Sequence, residues 1–99
     1  MICFNQVSKM NDRIDFIIEA TLEYLANEIK EIVNDTNFFL EYDERYNDIK
    51  LFSRDKEIVE KIANLLDREV YYNSYDGYFV VIKDYHEMNE IFQINGVVA

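Results

Sequence analysis

YYNSYDGYFVVIK, residues 71–83, reads as two strands closed by a turn. Asp76-Gly77 is the strongest turn signal in the chain, because a type I′ turn needs positive φ at its centre. It predicts a hairpin with strands at 69–74 and 78–84. The strand YFVVIK (78–83) is apolar on both faces, which is the pattern of a strand inside a sheet rather than at its edge.

The flanking segments fit around that hairpin. Downstream, Asp84 and Glu87 have the spacing of a capping box. Met88, Ile91 and Phe92 then give a short helix, and Asn95-Gly96 supplies its stop. Upstream, Ser53 is the predicted N-cap of another helix, with Asp55 and Glu57 in a favourable first turn. Ile58, Val59, Ile62, Ala63, Leu65 and Leu66 form its expected buried stripe. Before it, FFLEYDE (38–44) alternates, with Phe38, Leu40 and Tyr42 on one side and Phe39, Glu41 and Asp43 on the other. That is a half-buried strand. A turn near Arg45 to Asp48 joins it to a second strand with Ile49 and Leu51 inward.

The chain opens with a longer helix over 11–34. Ile14, Ile17, Ile18, Thr21, Leu22, Leu25, Ile29 and Ile32 share one face at three-and-four spacing. Asn11 or Asp12 is the expected cap, and Asn34-Asp35-Thr36-Asn37 is a break of turn-forming residues. Residues 1–10 read as an N-terminal arm, flexible or a short edge strand, with Met10 as an alternative start. Residues 11–99 read as one α+β domain in the order α-ββ-α-ββ-α. The expected architecture is a four-stranded antiparallel sheet with helices mainly on one face.

Composition narrows the class. Apolar residues make up 49% of the 99, with fifteen Phe and Tyr, which excludes a disordered acidic tail. Cys3 is the only cysteine, so no internal disulfide forms and a reducing cytoplasm is expected. MICFNQVSKM has no basic region and no sustained apolar run, so it does not read as a signal peptide. No run reaches the ~20 apolar residues of a membrane span.

The net charge is −10, and it is unevenly spread. Residues 1–44 carry −7, residues 45–68 carry +1 and residues 69–99 carry −4. A domain so charged repels nucleic acid and attracts basic surfaces. Direct nucleic-acid binding needs clustered Lys and Arg. Here the bases of 45–68 alternate with acids, as in the helical spacing of Glu57 and Lys61.

Catalytic and metal signatures are sparse. His86 is the only histidine, which excludes a His-rich zinc site. The cluster Asp84, His86, Glu87 reads as a capped helix start. Asp43 to Asp48 has calcium-like oxygens without the glycine and terminal glutamate of an EF-hand. Gly77 and Gly96 stand alone, so there is no phosphate loop. No metal or cofactor is expected. A catalytic carboxylate pair remains open among twenty acids, although nothing in the sequence marks one pair as buried against an apolar wall.

The positive signal lies on the first helix. Asp12, Asp15, Glu19 and Glu23 form a row at three-and-four spacing, where like charges repel by roughly 0.2–0.5 kcal/mol per pair. Glu28, Glu31 and Asp35 sit near the helix C-terminus, where negative charge is unfavourable. Glu41, Asp43, Glu44 and Asp48 extend the acids onto the following hairpin. Tyrosines are mixed in at Tyr24, Tyr42, Tyr46 and, around the second hairpin tip, Tyr75 beside Asp76. Tyr is a low-entropy recognition side chain. With carboxylates it suits Arg-rich surfaces, through salt bridges and cation–π contacts.

In size and charge the chain resembles the small acidic inhibitors that phages encode against host nucleic-acid enzymes, the anti-CRISPR and other DNA-mimic proteins. Asp12, Asp15, Glu19, Glu23, Glu28 and Glu31, with Glu41 to Asp48 and Asp76, carry the resemblance. It implies a non-catalytic protein, monomer or homodimer, that binds a basic nucleic-acid-handling enzyme such as a Cas effector in the host cytoplasm. The expected partner-binding residues are these acids with Tyr46 and Tyr75. Other readings are an immunity protein or antitoxin against a basic toxin, a small carboxylate-based enzyme, and a homo-oligomeric structural domain.

Overall fold

A computed structural model describes the backbone of residues 2–96 and the side chains of 13–96. The elements are α1 (Ile2–Val33), β1 (Phe39–Asp43), β2 (Asp48–Ser53), α2 (Lys56–Leu66), β3 (Tyr71–Asn73), β4 (Gly77–Lys83) and α3 (Tyr85–Ile94). The strands form one antiparallel sheet in the order β1-β2-β4-β3. The expected α+β order therefore holds, and the doubly apolar β4 lies inside the sheet.

Register decides which residues meet. Leu40 pairs with Leu51, and Leu51 with Val80. Successive strand residues point to opposite faces, so these three side chains share one face. Ile49, Leu51, Val80, Val59 and Met88 are fully buried there. Ile29 of α1, Ile58, Ile62 and Ala63 of α2, and Met88 of α3 join the same cluster. All three helices thus pack on one side of the sheet, and the other side is left without a helix.

Several local expectations change. α1 begins at Ile2, not Asn11, so Asn11 and Asp12 lie inside the helix rather than at its start. The expected arm is helical from Ile2 onward. Phe4, Val7 and Met10 continue the spacing of Ile14, Ile17 and Ile18, and no Pro or Gly interrupts them. α1 stops where expected, at Asn34, whose φ is 52°. Asn34 donates its N–H to the Lys30 carbonyl at 2.9 Å.

The N-cap of α2 is Asp55, which accepts from the Glu57 N–H at 3.0 Å. Ser53, the expected cap, is buried one step earlier. Its hydroxyl donates to the Asn37 carbonyl at 2.6 Å and accepts from the Asp55 N–H at 3.0 Å. It therefore ties the α1–β1 linker to the start of α2. Glu57 and Lys61 form no ion pair. Leu65 and Leu66 do not join the buried stripe; they are 61% and 41% exposed. α2 ends directly after them, at Asp67 (φ 55°), before the core reaches that far.

The second hairpin is closed by Ser74-Tyr75-Asp76, because Asn73 pairs with Gly77. Only Gly77 has positive φ, 90°, so the turn is not type I′. The Asn73 side-chain oxygen accepts the N–H groups of Tyr75 and Asp76 at 2.9 and 2.6 Å. That polar clasp replaces the two left-handed residues a type I′ turn needs. The capping box at α3 is present as expected, with Asp84 and Glu87 exchanging bonds of 2.8 and 3.0 Å. Arg68 binds Glu87 at 2.9 Å and the Val81 carbonyl at 2.8 Å, which fastens α3 to β4.

Candidate functional site

The acids of α1 fall on its solvent side because the opposite side is held by Ile18, Leu22, Leu25 and Ile29. Asp15, Glu19, Glu23, Glu28 and Glu31 are all exposed. None takes part in the ion pairs of the described residues. A helix turns about 100° per residue. Asp15, Glu19 and Glu23 therefore line one flank, and Glu28 and Glu31 the other. The side chain of Asp12 lies outside the described residues. Tyr24 is exposed on the flank of Glu28. A hydrogen bond with Glu28, and then that carboxylate's charge, raises the Tyr24 phenol above its usual 10.

The hairpin acids divide. Glu41 and Glu44 are exposed. Asp43 and Asp48 are a directly opposed cross-strand pair, with Lys50 bridging them at 2.9 and 3.0 Å. Arg45 adds a contact of 3.4 Å to Asp43. The side chains of Lys50, Asp43 and Asp48 are only 14, 16 and 12% exposed. The hydrogen bond from Lys50, helped by Arg45, outweighs burial and holds the Asp43 carboxyl at about 2. Burial works against the Lys50 ammonium, but its bonds to the two aspartates outweigh that and raise its pKa. Asp43 and Asp48 thus have an internal structural partner. Asp43 is ionised at neutral pH, the reverse of the raised carboxyl that general-acid chemistry uses.

The tyrosines divide as well. Tyr46 has Lys50 at 5.0 Å and Arg45 at 5.6 Å from its ring centre, so its cation–π capacity is engaged within the hairpin. Tyr42 donates to Asn47 at 2.6 Å, and Asn47 donates on to Asn89 of α3 at 2.9 Å. Tyr75 is 85% exposed, and Arg54 donates to its carbonyl. Ile49 pairs with Lys83 and Ser53 with Tyr78. The tip bearing Tyr75 and Asp76 is therefore at the opposite end of the sheet from Glu44 and Tyr46. The two tips do not form one patch; α1 runs between the two ends.

Two surfaces were not anticipated. The first is the helix-free face of the sheet. Phe39, Phe52, Phe79 and Tyr71 stand in register across all four strands. Their centroids are 5.0, 5.3 and 5.4 Å apart, with interplanar angles of 13°, 36° and 26°. The rings stack on one another, so each inner ring offers solvent its edge rather than its face. Ring edges carry the positive part of the quadrupole, which suits neither cation–π contact nor base stacking. The strand alternation already put Phe39 on this side; the alignment of four rings needed the register.

The second surface is a groove on the helix side, between α1 and the ends of α2 and α3. One hollow of about 370 Å³ is lined by Phe16, Ile17, Ala20, Tyr24, Leu25 and Ile91 among others. A second, of about 310 Å³, continues past Tyr24, Leu25 and Lys83 to Ile32, Leu65 and Leu66. Its signal in the sequence was the surplus of apolar residues on α1 and α2 over what one sheet face can cover.

Among the described residues, no group of three or more His, Cys, Asp or Glu is arranged to hold a metal ion, and no helix is long and apolar enough to cross a membrane. No family model matches the chain, and no curated protein or solved structure matches it either.

Proposed function

We propose that this chain is a non-catalytic binding protein whose acidic α1 engages a basic surface of a nucleic-acid-handling protein and excludes its DNA or RNA. The observation that carries this is the set Asp15, Glu19, Glu23, Glu28 and Glu31. All are exposed and none has an ionic partner in the described chain. Their repulsion is unfavourable for the helix, and a cationic partner turns it into attraction. Steering by such a face accelerates encounter and sets partner choice more than it adds contact energy. A phage inhibitor of the anti-CRISPR kind, acting in host cytoplasm, is the instance that size and charge resemble. On this reading Asp43 and Asp48, held by Lys50, and Tyr46, with Lys50 and Arg45 over its ring, serve the first hairpin rather than the partner.

The test is retention of partners from native host lysate at low salt, identified by mass, with two charge-reversed variants alongside. Glu19→Lys with Glu23→Lys should abolish capture of a basic nucleic-acid-binding protein, whereas Glu57→Lys with Glu60→Lys should not. Retention should weaken as salt rises, since exposed charges are screened over roughly 8–10 Å at physiological ionic strength. Capture that is indifferent to salt and to the first pair overturns the reading.

A further inference from the structure

We propose that the groove beside α1 receives an amphipathic helix of the basic partner, apolar side down and Lys/Arg side toward the rim. The inference rests on the basic-partner reading above and adds the shape of the segment that is bound.

The groove is apolar because the fold leaves apolar residues over. Phe16, Tyr24, Ile32, Leu65 and Leu66 are 72, 63, 41, 61 and 41% exposed, and all five line its two hollows. The hollows share Tyr24, Leu25 and Lys83, so they are one trough along α1. From Phe16 to Ile32 the trough runs about 24 Å at roughly 1.5 Å per residue. That length fits four to five turns of a docked helix, read by anchors at i, i+3, i+4 and i+7 spacing.

The charge around the trough selects the occupant. Glu28 lines it. Glu31 lies on the same flank of α1, and Asp67 follows directly on Leu66 at the α2 end. Against these stand Lys83 in the lining and Lys61, directly before the lining residue Ile62. A second copy of this chain would bring another −10 to a rim that is already acidic. An amphipathic helix with a basic outer side instead pairs its charges with the rim while it covers the apolar floor.

The probe is a fluorescein-labelled peptide of about five helical turns, built from Leu at helical anchor spacing with Lys and Arg elsewhere. A scrambled peptide of the same composition, which cannot form an apolar face, is the control. Binding is read by fluorescence anisotropy, with backbone amide shifts locating the contact. The amphipathic peptide should bind at least tenfold more tightly than the scrambled one and shift the amides of residues 16–32 and 62–67. Leu65→Gln with Leu66→Gln keeps the charge and uses a good helix former, and should weaken binding by about tenfold or more. Glu19→Lys with Glu23→Lys, neither of which lines the trough, should affect both peptides alike.

Equal affinity for the two peptides, with sensitivity to the Glu19 and Glu23 reversals alone, overturns the groove and leaves the acidic-surface reading standing. Binding of neither peptide overturns the groove as well, and the lysate capture then judges the acidic surface separately. Sedimentation showing a dimer of this chain that the Leu65 and Leu66 variant dissolves assigns the trough to a second copy and also overturns the proposal.

Discussion

Replacing Lys50 by Met should unfold the first hairpin's charge cluster from within, and the size of the effect can be worked from its geometry. Lys50 is the common partner of Asp43 and Asp48, at 2.9 and 3.0 Å. The two aspartates face each other across the strands. Without the ammonium, two mostly buried carboxylates are left opposed. Removing one member of a buried ion pair costs about 3–5 kcal/mol. Residual exposure of 12–16% at the aspartates and the remaining Arg45 contact place the expected loss near the low end, about 3 kcal/mol. In urea that moves the midpoint by roughly 1–3 M, followed by far-ultraviolet circular dichroism because the chain has no Trp. The pH dependence gives the sign. In the parent protein Asp43 is held at about 2 against an ordinary 3.8, so its stabilisation is complete above the unfolded value and is lost as pH falls through the folded one. In the variant Asp43 loses the ammonium that holds it low, so the repulsion between the two opposed carboxylates applies at neutral pH and disappears on acidification. The gap between the proteins should therefore be full at pH 7 and close on acidification. A variant as stable as the parent at pH 7, or a gap that does not change with pH, refutes the structural role of this cluster.

Ser53→Ala should cost about 1–3 kcal/mol, because the Asn37 carbonyl and the Asp55 N–H both lose their buried partner; thermal unfolding reads it. Gly77→Ala should destabilise by about 1–3 kcal/mol, since φ is 90° and a Cβ there would sit 2.9 Å from the Ser53 carbonyl oxygen. The same melt measures it. Phe52→Ala should cost about 3–5 kcal/mol although Phe52 lies on the helix-free face, because it is 6% exposed between two rings. Phe39→Ala, at the open end of the stack and 46% exposed, should cost clearly less.

The order of elements was legible because its signals are local. The capping box at Asp84, the alternation of 38–44 and the doubly apolar strand 78–83 each depend on neighbours a few residues away. The failures lie where local signals compete. Ser53 and Asp55 both have cap chemistry, and the long-range bond from Ser53 to the Asn37 carbonyl decided between them. Asn11 and Asp12 have it too, but a continuing apolar spacing carried the helix past them. Leu65 and Leu66 have the helical spacing of core residues, and only the extent of the sheet beneath α2 determines where burial ends. On the site, the acids of α1 were readable because they lie within one helix. That Asp43 and Asp48 share Lys50 requires the β1–β2 register, which a sequence read strand by strand does not contain.

The remaining acids on α1 carry a test that separates function from mere solvation. Asp15–Glu19 and Glu19–Glu23 are like-charge pairs at helical spacing, each unfavourable by roughly 0.2–0.5 kcal/mol. Glu31 stands in the last turns of α1, where the helix end repels it by about 0.3–1 kcal/mol. Changing Glu19, Glu23 and Glu31 to Gln removes these terms, keeps helix propensity and touches no ion pair in the described residues. The triple variant should therefore be more stable than the parent by about 1 kcal/mol in urea at low salt, with the difference shrinking as salt is added. Capture of the basic partner should fall in the same variant. The opposite signs are what the proposal requires: a chain under selection for folding alone has no reason to keep three carboxylates that weaken its longest helix. If the variant gains stability and still retains the partner, the charge on α1 belongs to solubility, and the binding face must be sought elsewhere on the molecule.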